Sequence, residues 1–317
     1  MIESISIVIP SYNESENIKE LCRRTLDIIK KINIKKYELI FVENGSKDSS
    51  LELLKKINLE DKSVKIISLT RNFGYQSAIA AGLKYSENDY VCVMDGDLQD
   101  PPELISKFEK KMMEGYDVVY GIRTKRKTNF IKNFFYNLFY EIYSKLSEID
   151  VPKKAGDFCL MNKKVVKNIN NLSEKNLFIR GLRSWVGFKQ TGIEYERDER
   201  HAGKTSFSFF GAIALALDGF VSFSLIPLRF ILITGTVISF LSFLFFVFLF
   251  SIKILHILSI FDFTSLQLPR GLTFTNSILT LSLGLVMFTL GIIGEYVGRI
   301  YFEVKNRPNY VINEIIL

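Results

Sequence analysis

Apolar runs of strand length alternate with amphipathic stretches over the first hundred residues. Ile5-Ser6-Ile7-Val8-Ile9 reads as a strand and Ser15 to Lys30 as a helix. Then come a strand over Tyr37-Glu38-Leu39-Ile40-Phe41-Val42, a helix around Ser49 to Ile57, and a strand over Val64-Lys65-Ile66-Ile67-Ser68-Leu69. A helix near Tyr75 to Lys84 precedes the strand Tyr90-Val91-Cys92-Val93-Met94. This rhythm predicts an α/β domain with a mostly parallel, doubly wound sheet and helices on both faces. Ligands of such sheets bind at the carboxyl ends of the strands. Polar residues gather there: Pro10 to Glu14, Glu43 to Asp48, Arg71 to Gly74 and Asp95 to Gln99.

Near residue 205 the pattern changes. Phe230 through Ile252 is 23 residues without a charge, and Gly271 through Gly294 is 24. At about 1.5 Å per residue each reaches about 35 Å, enough for a bilayer core of about 30 Å. The alternative is a buried helix of a soluble protein. The reading is therefore a body over 1–205, an amphipathic juxtamembrane segment over 206–229, and spans at 230–252 and 271–294. The connection 253–270 is expected outside and a tail 295–317 inside, since Lys204, Arg229, Arg299, Lys305 and Arg307 flank the spans on one side. A further apolar stripe, over residues 130–147, follows the basic cluster Arg123, Lys125, Arg126 and Lys127. It reads either as an interfacial helix or as an ordinary helix packed on the body.

Charge and composition favour a membrane. The 317 residues carry a net charge of +7, with pI about 9.1 and a mean hydropathy of +0.16. A basic and apolar chain points to a lipid surface rather than to nucleic acid. Cys22, Cys92 and Cys159 form no metal or redox spacing and read as core residues in a reducing compartment. Met1-Ile2-Glu3-Ser4 has no basic leader region, so the body is expected in the cytoplasm.

The candidate chemistry centres on Asp95-Gly96-Asp97-Leu98-Gln99-Asp100-Pro101-Pro102-Glu103. Two carboxylates one residue apart at the end of a core strand are costly unless something positive sits between them. Oxygen-only ligands suit Mg²⁺ or Mn²⁺, and such an ion bridging a diphosphate implies a nucleotide or nucleotide-sugar site. A plain turn is the alternative. On the first strand's loop, Glu14 suits the hydroxyls of a ribose. The polar tip after Glu43 suits a nucleobase edge, or else a helix N-cap through Ser46 or Asp48.

Taken in order, these strand ends resemble glycosyltransferase family 2. Downstream, Arg71-Asn72-Phe73-Gly74-Tyr75-Gln76, Asp97 through Glu103, Gly121-Ile122-Arg123, Gly156-Asp157-Phe158-Cys159-Leu160-Met161 and Arg200-His201-Ala202-Gly203-Lys204-Thr205-Ser206 resemble its polyprenyl-phosphate branch. The resemblance covers nearly the whole chain. It implies a GT-A-type catalytic domain followed by two transmembrane helices, in a bacterial inner membrane. The implied reaction is inverting transfer of one sugar, glucose from UDP-glucose, to undecaprenyl phosphate. By the same resemblance Pro10, Tyr12, Glu14, Val42, Asn44, Asp95 and Gly96 line the nucleotide-sugar site. Asp95, Asp97 and Gln99 hold Mg²⁺ or Mn²⁺; Arg123, Arg200, Lys204 and Ser206 handle phosphate. Asp157 stands where the family's catalytic base is usually assigned, with Asp97 and Arg123 sharing the catalytic role.

One departure concerns the base pocket, where the family usually shows two aspartates and this chain has Glu43-Asn44. The base assignment itself meets a physical objection. A monoalkyl phosphate has a second pKa near 6 and needs little help losing a proton at neutral pH. Asp157 is then expected to position the acceptor or help hold the ion. The branch includes oligomers, so a homo-oligomer is a further expectation. Two rivals are a processive polysaccharide synthase and a non-catalytic membrane scaffold. Synthases resemble one another in a Gln-x-x-Arg-Trp segment, and Arg183-Ser184-Trp185 lacks that glutamine.

Overall fold

The computed structural model describes residues 2–124, 155–172, 174, 175, 177–196, single positions between 231 and 251, and 272–317. The chain divides into two units, 1–222 with 306–317, and 223–305.

The first unit is built on an eight-stranded sheet of order β7-β5-β6-β4-β1-β2-β3-β8. Strands β1 (Ser4–Ser11), β2 (Lys36–Glu43), β3 (Val64–Leu69) and β4 (Tyr90–Val93) pair in parallel as β3-β2-β1-β4. Every residue of β1 is buried, as a strand covered on both faces requires. Helices α1 (Ile18–Lys31), α2 (Ser50–Glu60) and α3 (Tyr75–Lys84) connect them. On α1 the buried residues Ile18, Leu21, Cys22, Thr25, Ile28 and Ile29 fall on one face at helical spacing.

In the other half of the sheet one strand reverses. Strand β6 (Ala155–Asn162) runs antiparallel between β4 and β5 (Val118–Arg123), and β7 (Gln190–Tyr195) lies parallel to β5. The sheet is mixed. Apolar periodicity marks a strand but carries no information on its direction, which is why the reversal at β6 was not legible. Among its described residues the unit holds three more α-helices: α4 (Ile105–Met113), α5 (Lys163–Asn170) and α6 (Ile179–Trp185).

Helix α7 (Leu272–Lys305) belongs to the second unit and is 34 residues long. Its segment Ser282–Lys305 contains an 18-residue window of mean hydropathy 1.5 and is long and apolar enough to cross a membrane. It is the one such helix among the described residues. Leu283, Val286, Met287, Phe288 and Leu290 on it are exposed. It contains most of the expected span 271–294 but runs eleven residues further. Of the expected span 230–252 only scattered positions are described, and these are helical. The stripe at 130–147 and the segment 206–229 lie outside the described residues.

Residues 295–317 are more than a tail. After α7 the chain forms β8 (Ile312–Ile316), antiparallel to β3 with Ile66 opposite Ile316. Lys55 Nζ meets Glu314 Oε1 at 2.5 Å, and Thr70 N donates to the Val311 carbonyl at 3.0 Å. The catalytic body therefore includes the far C-terminus, contrary to a boundary at 205.

Helix α3 positions part of the site described below, and Gly82 sets how closely it approaches the sheet. A Cβ at Gly82 would lie 2.2 Å from Val8 Cγ1 and 3.1 Å from Val42 Cγ2. Gly→Ala in an open helix face stabilises by about 1 kcal/mol. Gly82→Ala should instead lower unfolding stability by about 1–3 kcal/mol through overpacking, measured as a drop in the unfolding midpoint.

Candidate active site

The carboxyl ends of the parallel strands lie along one edge of the sheet. In lateral order this edge presents Tyr195 on β7, Arg123 on β5, Asp157 at the start of β6, Asp95 after β4, Pro10 on β1 and Glu43-Asn44 at β2. Strand β6 runs the other way, so its amino end comes to the same edge. Val93 pairs with Cys159, and carrying that register on by two residues sets Asp95 opposite Asp157. The expected grouping of Asp95, Arg123 and Asp157 is thus brought together by β4, β5 and β6.

The ionised groups are interlocked. Asp95 accepts from the Tyr75 hydroxyl through Oδ1 and meets Arg123 Nη2 through Oδ2 at 3.4 Å. Arg123 Nη2 is also 3.5 Å from Asp100 Oδ2. Its Nε donates to the Tyr195 hydroxyl at 3.2 Å, and that hydroxyl donates to Asp100 Oδ1 at 2.5 Å. Asp100 is fully buried. Burial, then Asp100, push the Tyr195 phenol up; burial, then Asp95 and Asp157, do the same to Tyr75.

Asp157 is held by α6. Arg180 Nη2 meets its Oδ2 at 2.9 Å, while Oδ1 is buried with no hydrogen-bond partner. One helical turn on, Arg183 is 1% exposed and donates to the Gly156 carbonyl at 3.4 Å. Burial pushes the Asp157 carboxyl up, but Arg180, then Arg183 and Arg123, outweigh it and hold the group below its ordinary value. Gln76 Oε1 accepts from Ile179 N at 2.9 Å, fastening α6 to α3.

Asp97 is 8% exposed. Leu98 has φ +61°, turning the chain so that Gln99 N donates to Asp97 Oδ1 at 3.2 Å. Gly96 is needed for close approach, since a Cβ there would lie 2.9 Å from the Pro10 carbonyl oxygen. Among the described residues no three His, Cys, Asp or Glu form a metal cluster. The donor set is two carboxylates and the Gln99 amide, all hard oxygens. Donors of that type fit a hard divalent cation.

On the β1–β2 side the geometry differs from expectation. Tyr12 is half-buried beside the β1 end. Glu14 receives Asn17 Nδ2 at its Oε2 at 2.5 Å. Val42 is fully buried beneath α3, so its side chain is core and only its backbone faces the edge. Asn44 is spent on the loop after β3: its Nδ2 donates to Asn72 Oδ1 and the Gly74 carbonyl, both at 3.2 Å, and Phe73 N donates to its Oδ1 at 2.9 Å. Glu43 likewise accepts from Ser46 N and from Ser68 Oγ. The Glu43-Asn44 pair therefore builds the wall of the site. Arg200, Lys204 and Ser206 lie outside the described residues.

Sequence reasoning missed Tyr75, Asp100, Arg180, Arg183 and Tyr195. Asp100 stood inside the acidic motif, and Arg180 and Arg183 are spaced three apart within an apolar stretch. Nothing in the sequence links Tyr195 to Asp100, 95 residues away.

Residues 6–169 match the family described as Glycosyl transferase family 2. The chain is 44% identical over 310 residues to a Bacillus subtilis (strain 168) glycosyltransferase, YkcC, covering 98% of this chain and 93% of the relative. It is 36% identical over 312 residues to a prophage bactoprenol glucosyl transferase homolog of Escherichia coli (strain K12), covering 98% and 99%. With the bactoprenol glucosyl transferase of Shigella phage SfII the identity is 36% over 311 residues, covering 98% and 97%. The chain belongs to glycosyl transferase family 2 and is a glycosyltransferase.

Asn44 provides a test of the wall. Asn44→Asp, the residue the resemblance calls usual, would lose both donors and face two acceptor oxygens. It should lower stability by about 1–3 kcal/mol, read as a lower unfolding midpoint. An unchanged midpoint would remove the scaffold role.

Proposed function

We propose that this enzyme transfers a single glucose from UDP-glucose to undecaprenyl phosphate at the cytoplasmic face of a bacterial membrane, with inversion. The observation that carries the reading is Asp95 meeting Arg123 at the sheet edge where β6 brings in Asp157, in a chain whose near-full-length relatives include bactoprenol glucosyl transferases. The nucleoside lies over the β1–β2 ends beside Tyr12 and Glu14, against the wall that Glu43 and Asn44 build. Asp95, Asp97 and Gln99 would hold Mg²⁺ or Mn²⁺, whose charge would offset that of the departing diphosphate. Arg123 contributes a second positive charge beside Asp95. Arg200, Lys204 and Ser206 are assigned to the phosphate groups by the resemblance alone.

The acceptor phosphate is largely deprotonated at neutral pH. Asp157 is kept ionised by three guanidiniums, which also makes it a weak proton acceptor. Its role is to position the substrates, with the orphaned Oδ1 available to a hydroxyl donor.

A lipid acceptor requires the site to be tethered at a membrane, and α7 supplies an apolar helix of sufficient length. The chain leaves the sheet after β7 and rejoins it at β8. This supports an even number of crossings, with 230–252 as the partner of α7 and the connection between them outside.

With the full chain in detergent, UDP-glucose, Mn²⁺ and undecaprenyl phosphate, the expected result is lipid-dependent UDP release, one per lipid. Chain growth or the absence of release would overturn the proposal. Asp157→Asn should cut turnover by a similar factor at pH 6 and pH 8. A loss confined to pH values below 6 would restore the proton-acceptor role.

A further inference from the structure

The Arg123 guanidinium is held by two groups outside the expected site. Tyr195 has one phenolic proton and gives it to Asp100 at 2.5 Å, so its lone pair is left to accept Arg123 Nε at 3.2 Å. Asp100 also faces Arg123 Nη2 at 3.5 Å. Nη1 has no hydrogen-bond partner among the described residues. Packing places the ring: Tyr195 is 7% exposed within the core, a Cβ at Gly121 would lie 2.6 Å from its Cε1, and the Phe158 ring stands edge-on with its centroid 6.1 Å away. Tyr195 also borders a cavity of about 720 Å³ with Pro101, Leu104 and Lys107. The ring thus presents a fixed hydroxyl, and the two hydrogen bonds pass that position on to Arg123.

We propose that Asp100 and Tyr195 are positioning residues that aim Arg123 at the donor diphosphate, and that Asp100 serves this role rather than binding the ion. The diphosphate is the target because Arg123 Nη2 lies 3.4 Å from Asp95, the carboxylate assigned to the ion that a diphosphate bridges. If Asp95 turns to that ion, Arg123 keeps Asp100 and Tyr195 and does not swing away. The inference rests on the nucleotide-sugar reading above.

The test is a double-mutant cycle on UDP binding with Mn²⁺, by calorimetry on the full chain in detergent. Tyr195→Phe keeps the ring and removes both hydrogen bonds. It should weaken UDP by about tenfold, the equivalent of one hydrogen bond to a charged group. Arg123→Met should weaken it at least as much, and the double variant should bind like Arg123→Met alone. A merely structural role for Tyr195 would produce the same loss in both backgrounds. That additivity, or unchanged UDP affinity in Tyr195→Phe, overturns the inference. Wild-type protein that binds UDP in this cycle but releases none in the presence of undecaprenyl phosphate overturns the acceptor assignment and leaves the positioning result standing.

Discussion

The Arg123 guanidinium sits between two carboxylates, 3.4 Å from Asp95 and 3.5 Å from Asp100, where β4 and β5 end. Removing one partner from a buried ion pair costs about 3–5 kcal/mol, because the other charge stays buried and unanswered. Asp100 is fully buried and Asp157 nearly so, so neither tolerates such a loss. Arg123 answers Asp95 and Asp100, and Arg180 answers Asp157. These pairs need elements far apart in sequence: the turn after β4, the end of β5, the start of β6, and α6. They tie β6 and α6 to the ends of β4 and β5.

A second constraint runs through the segment from Asn72 to Gln76. Asn44 pins its first half from the β2 end, Tyr75 reaches Asp95, and Gln76 fastens α6 through Ile179. Helix α6 in turn holds Asp157 through Arg180. One short stretch therefore ties the β2 end of the edge to Asp95 and, through α6, to Asp157. Gly82 sets the depth at which α3 carries it. A displacement of α3 would move Tyr75 and Gln76 together, so the two halves of the site hold their spacing as a unit.

The sequence was most informative where local pattern and burial coincide. The strands β1 to β4 and helices α1 to α3 follow directly from apolar runs, and their carboxyl ends carry the polar clusters that the site uses. Asp95, Arg123 and Asp157 were legible because each ends or begins a strand. Their partners were not. Arg183 is a charge buried in a helix that reads as amphipathic, and the bond from Tyr195 to Asp100 depends on β5 and β7 being neighbours. The surroundings of Val42 and Asn44 were not legible for a related reason. A strand end offers two faces, and only packing against α3 and the Asn72–Gly74 loop decides which face a ligand meets.

Strand β8 was hidden by what precedes it, since a short apolar stretch after a long apolar helix reads as a trailing end. Its place follows from the sheet. Without it β3 is an edge with unpaired backbone groups, open to pairing with other chains. Ile66 and Ile316 pair across 250 residues, yet loop-closure entropy grows only by about 0.6 kcal/mol per doubling of length. Three doublings beyond a thirty-residue loop therefore cost about 2 kcal/mol. The half-buried Ile316 against the core, the ladder to β3 and the Lys55–Glu314 pair are of a size to offset that. A strand supplied from beyond α7 covers the β3 edge and returns the chain to the sheet it left. The apolar segment is thus bracketed in sequence by two strands of one sheet.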